Sequence, residues 1–276
     1  MRHADDLEVR RSRLRMLTPL RRRSDREPRR FRRGVYLLPS MLTMANMFCG
    51  YACIVYSMRG EFATAAPFIG IAIVLDMLDG RVARMTGTTS AFGIEFDSLA
   101  DVISFGVAPA IMSFSWGLQP LGRLGWAAGF VFVAAAAVRL ARFNIQAGSQ
   151  DKRYFVGMPS PAAAAIPAAT VYLISDRITD YRAALPVLAM VLVPALLMVS
   201  TIRFRSFKTI DLQMRRSYTV LFLIAAVMVA VATHIRIALA VTAYAYLSSA
   251  FVGMAMSRFR HRGQPSTAPA SPHDTP

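Results

Sequence analysis

Residues 76–101 read DMLDGRVARMTGTTSAFGIEFDSLAD, and this stretch decides how the chain is interpreted. The surrounding sequence is strongly apolar, since 55% of the 276 residues are hydrophobic and the mean hydropathy is +0.40. Every acidic residue that is embedded in apolar sequence falls within this stretch. A carboxylate at membrane depth costs about 2.5–3.5 kcal/mol on insertion scales, so such a concentration of acids indicates a functional site.

Apolar runs of near-bilayer length recur along the chain and predict an all-α fold, a polytopic transmembrane helix bundle of about eight spans. The spans are expected at residues 35–58, 62–85, 91–116, 124–144, 161–175, 183–202, 217–233 and 235–256. The expected organisation is a basic juxtamembrane arm (1–34), a transmembrane catalytic domain (35–257) and a disordered cytoplasmic tail (258–276).

Basic residues are distributed unequally between alternate ends of the predicted spans. The net charge is +16, and most of the 32 Lys and Arg residues fall in the arm, the tail or every second connection. The opposite connections hold five arginines: Arg59, Arg123, Arg177, Arg182 and Arg236. The positive-inside rule therefore predicts a multi-pass protein of the cell (inner) membrane with both termini on the cytoplasmic side.

The basic arm contains the run RRSRLRMLTPLRRRSDREPRRFRR at residues 10–33. Next to a membrane span, such a segment is expected to bind anionic lipid headgroups, and a tail without a specific partner is the open alternative. Phe31 is the one aromatic residue in the run, so nucleic acid is not an expected partner. Cys49 and Cys53 lie four apart in one apolar helix and are expected to pack as small hydrophobic residues.

Helical geometry predicts that four aspartates converge from two neighbouring helices. One sector of about 100° on the first helix holds two acids and two small residues, bordered by an arginine: Asp76, Asp79, Gly80, Ala83 and Arg84. On the second helix a glycine and two acids recur at every fourth residue: Gly93, Asp97 and Asp101. A polar turn with an N-cap candidate in Thr89 or Ser90 joins the helices on the cytoplasmic side.

Converging carboxylates without a nearby histidine or thiolate predict a hard-cation site, for Mg²⁺, Mn²⁺ or Ca²⁺. Four aspartates can neutralise two divalent ions, and two such ions clamp phosphoryl oxygens during an in-line displacement. The small residues leave space beside the ions, and Arg84 offers a fork for phosphate. Acid–arginine pairs that merely lock the helices together are the alternative.

At every fixed position the stretch matches the signature D-x-x-D-G-x-x-A-R-x8-G-x3-D-x3-D, so the chain resembles the CDP-alcohol phosphatidyltransferase family. Further stretches are similar to the membrane-embedded phosphatidylserine synthases of that family: LLPSMLTMANMFCG (37–50), DSLADVISFGVAPA (97–110), RLARFNI (139–145) and FVGMPSPAAA (155–164). Ser40 departs from the asparagine expected after Pro39, at the edge of the expected nucleotide pocket.

The resemblance implies that the phosphatidyl group of CDP-diacylglycerol passes directly to L-serine, giving phosphatidylserine and CMP. It makes four residues the ligands of two divalent ions, Mg²⁺ or Mn²⁺: the signature aspartates Asp76, Asp79, Asp97 and Asp101. Asp101 is also expected to accept the proton of the attacking hydroxyl. CDP-lipid contacts are implied for Gly80, Ala83, Arg84, Ser90, Gly93, Thr43 and Asn46. For Thr43 and Asn46, hydrogen bonding between helices is the open alternative.

Serine carries a carboxylate, so its site requires a cation. Arg139, Arg142 and Asn144, at the cytoplasmic end of the fourth span, are the expected serine-binding residues, and arginines that only mark the interface are the alternative. A homodimer is implied by the family alone. The competing functions are a sister transferase that uses glycerol phosphate or inositol phosphate, a membrane cation transporter, and a non-catalytic lipid-binding scaffold.

Overall fold

The computed structural model describes residues 32–87, 90–147, 155–200, 203–204 and 233–261. The helices in these residues are α1 (Arg32–Arg59), α2 (Phe62–Thr86), α3 (Ala91–Leu121), α4 (Arg123–Ala147), α5 (Ser160–Leu173), α6 (Tyr181–Val199) and α7 (Ile235–His261). Two short strands, β1 (Phe155–Val156) and β2 (Arg203–Phe204), pair antiparallel, with Phe155 opposite Phe204 and Val156 opposite Arg203. The predicted all-α fold class is therefore confirmed, with this single strand pair as an addition.

Five helices, α1 to α4 and α6, contain segments long and apolar enough to cross a bilayer, and the chain is a multi-pass membrane protein. α5 and the apolar part of α7, Ile235–Ser249, are shorter. The predicted span at 217–233 lies outside the described residues except for its last position, and the number of eight spans stays a prediction. The arm and the tail also lie outside them, apart from the first residues of α1 and the last of α7.

The third helix is a composite of several helical forms. Its α-helical parts, Ala91–Asp101 and Ala108–Ser113, are separated by a π-helical turn at Val102–Val107. A second π-helical turn at Phe114–Leu118 and a 3₁₀ turn at Gln119–Leu121 complete it. π-Helical turns inside α-helices are frequent at functional sites, and the first one begins directly after Asp101.

Among the described residues, the connections between successive helices lie at one or the other of two opposite ends of the packed helices. At one end, the Arg177 guanidinium between α5 and α6 lies 5.6 Å from the ring centroid of Phe62 at the start of α2. At the other end, β1 after α4 pairs with β2 after α6. Here Asn144 near the end of α4 also donates a hydrogen bond to Ser98 near the start of α3. The acidic hairpin therefore shares its end with the segments that follow α4 and α6.

Small residues let the helices approach one another closely. α4 packs against α6, and α5 packs against both α2 and α7. Where α3 meets α4, a Cβ atom at Gly106 would lie 3.2 Å from the Cβ atom of Ala136. Cys49 and Cys53 are buried free thiols, as predicted. Close packing of small residues is the usual way in which membrane helices associate, because lipid offers no hydrophobic driving force between them.

The first helix is fixed against the acidic part of α3 at Gly50. A Cβ atom at position 50 would lie 2.7 Å from Ser104 Oγ and 2.8 Å from Ser104 Cα, so a larger residue requires a backbone shift. Ser104 lies in the π-helical turn after Asp101, and its hydroxyl donates a 2.9 Å hydrogen bond to the backbone oxygen of Asn46. This contact places one face of α1 beside the carboxylates.

Candidate active site

The connection between α2 and α3 brings the acidic faces of the two helices together. Gly87 ends α2 in the left-handed conformation, with φ of 61°, and its N–H donates to the oxygen of Ala83. Glycine adopts this conformation without steric cost. Ser90 begins α3, and its Oγ accepts a 3.0 Å hydrogen bond from the Gly93 N–H. Of the two predicted N-cap candidates, Thr89 and Ser90, the structure has Ser90 as the N-cap, and the helices are joined by residues 87–90 only.

Three of the four signature aspartates form a group. One carboxylate oxygen from each of Asp76, Asp97 and Asp101 lies within 4.8 Å of the other two. Asp101 is 8% exposed, and Asp97 Oδ1 is buried without a hydrogen-bond partner among the described residues. Like charges this close repel one another unless a cation lies between them, and hard oxygen donors suit a divalent ion. The residues therefore fit a divalent metal ion.

Asp79 lies beside this group. Its Oδ2 accepts a 3.1 Å hydrogen bond from the Thr43 hydroxyl, and the side chain is only 3% exposed. It lines the same cavity as Asp97 and Asp101. The role of Asp79 as a fourth metal ligand stays a prediction.

A cavity of about 510 Å³ opens beside the acids. Six of the seven residues expected to contact the CDP-lipid line it: Thr43, Gly80, Ala83, Arg84, Ser90 and Gly93. A Cβ atom at Gly80 would lie 3.4 Å from Arg84 Nη1, so the arginine side chain lies back over the glycine. The cavity thus combines a guanidinium with small residues, as a phosphate-bearing ligand requires.

The seventh residue, Asn46, does not line the cavity. Its side chain is fully buried, and Nδ2 donates a 3.2 Å hydrogen bond to Asp101 Oδ1. Asn46 Oδ1 has no hydrogen-bond partner in the described part of the chain. Asn46 therefore contacts a signature aspartate directly, and a nucleotide contact is an untested prediction.

The sequence did not indicate an apolar wall of the cavity, which includes Phe92, Phe96, Leu140 and Phe143. The rings of Phe92 and Phe96 stack with centroids 5.8 Å apart. Their spacing of four residues on one helix face was the available signal. The wall gives one side of the cavity an aromatic and aliphatic surface opposite the polar residues of α1 and α2.

The predicted serine-binding residues occupy different surroundings. Arg139 Nη1 donates a 2.8 Å hydrogen bond to Ser160 Oγ, and its charge lies close enough to Asp101 and Asp76 to attract them. Asn144 lines the cavity, whereas Arg139 and Arg142 do not. Ser160 lies in the stretch FVGMPSPAAA (155–164), and no role was predicted for it, because nothing in the sequence places it opposite Arg139.

Comparisons with known proteins identify the family. The CDP-alcohol phosphatidyltransferase family matches residues 36–202. The CDP-diacylglycerol–serine O-phosphatidyltransferase of Helicobacter pylori is 39% identical over 196 residues, which cover 71% of this chain and 83% of the relative. The protein of the same name from Mycobacterium leprae is 41% identical over 142 residues, 49% of this chain and 47% of the relative.

A third relative comes from an archaeon. The archaetidylserine synthase of Methanothermobacter thermautotrophicus is 36% identical over 169 residues, which cover 60% of this chain and 69% of the relative. The family match spans more than half of the chain and includes the acidic hairpin with its cavity. The chain therefore belongs to the CDP-alcohol phosphatidyltransferase family.

Proposed function

We propose that the protein transfers the phosphatidyl group of CDP-diacylglycerol to the hydroxyl of L-serine, giving phosphatidylserine and CMP. The observation that carries this proposal is the group of Asp76, Asp97 and Asp101 beside a cavity that also holds Arg84. Family membership supports a CDP-linked donor. The names of the relatives from Helicobacter pylori and Mycobacterium leprae support serine as the acceptor.

The signature aspartates would hold two divalent ions, Mg²⁺ or Mn²⁺, which neutralise the charge on the phosphoryl oxygens. The serine hydroxyl oxygen attacks the phosphorus that carries diacylglycerol and forms a new P–O bond. The bond from this phosphorus to the bridging pyrophosphate oxygen breaks, and CMP leaves with that oxygen and the electron pair. Asp101 accepts the hydroxyl proton, because a carboxylate near the attacking oxygen takes the proton as the new bond forms.

The cavity beside the acids is proposed to hold the CDP part of the donor. Its volume of about 510 Å³ is in the range of small-molecule sites. Gly80, Ala83 and Gly93 leave space for the ligand, Arg84 binds phosphate oxygens, and Ser90 offers a hydroxyl. Metal ligation by Asp79 belongs to the same proposal, since this side chain lines the cavity.

The acceptor is proposed to lie between Asp101 and Arg139. Arg139 would bind the serine carboxylate, because Ser160 holds its guanidinium on the side of the acids. Asn144 reaches the cavity from the next turn of α4. Arg142 has weaker support, because in the described part of the chain no hydrogen bond or ion pair connects it to Ser160 or to the signature aspartates.

The acidic end of the helices is proposed to face the cytoplasm of a cell (inner) membrane, with both termini on that side. The distribution of arginines between the two ends supports this orientation. The basic arm (1–34) is proposed to bind anionic lipids, next to the catalytic domain (35–257) and ahead of the polar tail (258–276). A homodimer is proposed on the family resemblance alone.

The test is to incubate purified protein with CDP-diacylglycerol, Mn²⁺ and each candidate alcohol in turn, and to identify the lipid product. We expect phosphatidylserine and CMP with serine. A product with glycerol phosphate or inositol phosphate instead assigns a sister reaction. Mn²⁺ uptake into proteoliposomes without CMP release would support the transporter.

Replacing the proposed base tests the chemistry of the same reaction. Asp101→Asn is expected to lower kcat by about 10²–10⁴-fold, because a carboxamide cannot accept the proton. Glu95→Gln is the matched control, since Glu95 is an exposed acid on the same helix outside the cavity. Full activity of Asp101→Asn would contradict the mechanism.

A further inference from the structure

We propose that Thr43 and Asn46 are positioning residues, through which helix α1 holds the carboxylates of Asp79 and Asp101 ready for the ions. This inference deepens the proposed function and rests on its ion-binding aspartates. It replaces a nucleotide-binding role for these two side chains with a role inside the protein.

Three residues on one face of α1 meet the acidic helices. Thr43, Asn46 and Gly50 follow at intervals of three and four residues, which places them on the same side of a helix. The Thr43 hydroxyl lies 3.1 Å from Asp79 Oδ2, and Asn46 Nδ2 lies 3.2 Å from Asp101 Oδ1. Thr43 is 5% exposed and Asn46 is fully buried. One helix thus donates to two carboxylates that come from two other helices.

The glycine of this face sets the distance between α1 and α3. The backbone at Gly50 touches Ser104, and Ser104 donates to the backbone oxygen of Asn46. Ser104 and Asp101 lie one turn apart on α3, as Gly50 and Asn46 do on α1. The contact between the two backbones therefore brings the Asn46 amide within reach of Asp101.

Each carboxylate offers two oxygens, and a donor bound to one of them orients the other. Hydrogen-bond partners of metal-ligating carboxylates act in this way, and their loss weakens metal binding. The single hydroxyl proton of Thr43 is shared between Asp79 Oδ2 and the oxygen of Pro39, both 3.1 Å away. Asn46 donates one amide N–H to Asp101, and its side chain does not line the cavity. The Thr43 proton is thus committed within the protein, and Asn46 lies away from the space that a nucleotide would occupy.

The test is an electron paramagnetic resonance titration of Mn²⁺ into the purified full-length protein, without nucleotide or serine. Asn46→Leu keeps the number of side-chain atoms and removes the donor, and Thr43→Val does the same. We expect both to weaken Mn²⁺ binding by about 10–100-fold. Thr43→Ser keeps the hydroxyl and is expected to stay within about twofold of wild type, as is Met44→Ala on the exposed face of α1.

A second pair of variants tests the helix contact without removing a polar group. Gly50→Ala is expected to weaken Mn²⁺ binding, because the added Cβ atom forces α1 away from Ser104. Gly129→Ala is the matched control, since its Cβ atom would lie 3.9 Å from the nearest atom, the oxygen of Ala110. Size-exclusion profiles establish which variants fold. If Asn46→Leu does not fold, the comparison of Thr43→Val with Thr43→Ser tests the positioning role.

The kinetic constants separate positioning from substrate contact. Positioning predicts a lower kcat with an unchanged KM for CDP-diacylglycerol. A raised KM with unchanged Mn²⁺ affinity assigns a nucleotide contact and overturns the inference, as does wild-type protein that binds no Mn²⁺. If the Mn²⁺ affinity depends on Asn46 and Thr43 as expected but the wild-type protein makes no phosphatidylserine, the proposed acceptor is refuted and the inference stays intact.

Discussion

At the scale of single residues, Arg139 is the cation that we propose binds the acceptor. Its guanidinium is hydrogen-bonded to Ser160 from another helix and lies near Asp101 and Asp76. An arginine fork binds a carboxylate through two parallel hydrogen bonds, and a fixed fork loses little entropy when it does so. In the proposed mechanism, Arg139 holds the serine carboxylate while the serine hydroxyl points toward Asp101.

We predict that Arg139→Ala raises the KM for serine by at least about tenfold, the loss expected for one charge-assisted hydrogen bond. Arg142→Ala is the matched control on the same helix and is expected to change that KM less than about twofold, because no hydrogen bond or ion pair among the described residues connects Arg142 to Ser160 or to the signature aspartates. The measurement is CMP release at saturating CDP-diacylglycerol with varied serine. The opposite result would assign binding of the serine carboxylate to Arg142. Unchanged KM values in both variants would show that neither arginine binds it.

The sequence was sufficient to show which acids share a helix face, because the spacing of residues along one helix determines this. Asp76, Asp97 and Asp101 meet as this periodicity predicted. Ser160 could not be found in the same way, because its contact with Arg139 depends on how α4 and α5 pack. The distance between two helices is not encoded in the periodicity of either one.

At the scale of elements, α3 shows what an apolar pattern cannot reveal. A continuous span was predicted at 91–116, and the structure extends it to Leu121 with two π-helical turns. The turns leave the run of apolar residues intact, so hydropathy gives no sign of them. They change which side chains face α1 and α4, and Ser104 and Gly106 both lie in the first turn.

We predict that Gly106→Val lowers the unfolding temperature in detergent by several degrees, because overpacking a helix crossing costs about 1–3 kcal/mol. Its first added carbon would already lie 3.2 Å from the Cβ atom of Ala136. Gly70→Val is the control, since a Cβ atom there would have no neighbouring atom within 4 Å. Equal unfolding temperatures for Gly106→Val and wild type would show that α3 and α4 separate at no cost.

At the scale of the whole molecule, successive connections between the helices of the described residues lie at alternate ends, whereas the predicted orientation in the membrane stays a prediction. The hydropathy pattern determined the positions of the described spans, because the bilayer imposes one length on every crossing helix. It could not give the strand pair of β1 with β2, since two-residue strands leave no pattern of their own. Their pairing joins the segments that follow α4 and α6 at the acidic end.

The proposed orientation can be measured by cysteine labelling in intact cells, with Cys49 and Cys53 replaced by alanine. Met85→Cys lies at the acidic end of α2, where the native side chain is 80% exposed, and Arg123→Cys lies at the opposite end. We predict that a membrane-impermeant maleimide labels Arg123→Cys from outside and labels Met85→Cys only after permeabilisation. The reverse pattern would place the cavity on the outer face.

The short connection of residues 87–90 has a consequence for how the chain is made. Alone, each acidic helix would bring its two signature aspartates into lipid, at about 2.5–3.5 kcal/mol apiece. Paired, the two helices turn these groups toward each other and present apolar side chains such as Met77, Leu78 and Leu99 outward. We therefore expect these two helices to insert into the bilayer as one hairpin, beside α1, which precedes them in the chain and carries the Thr43 hydroxyl and the Asn46 amide that bind the acids.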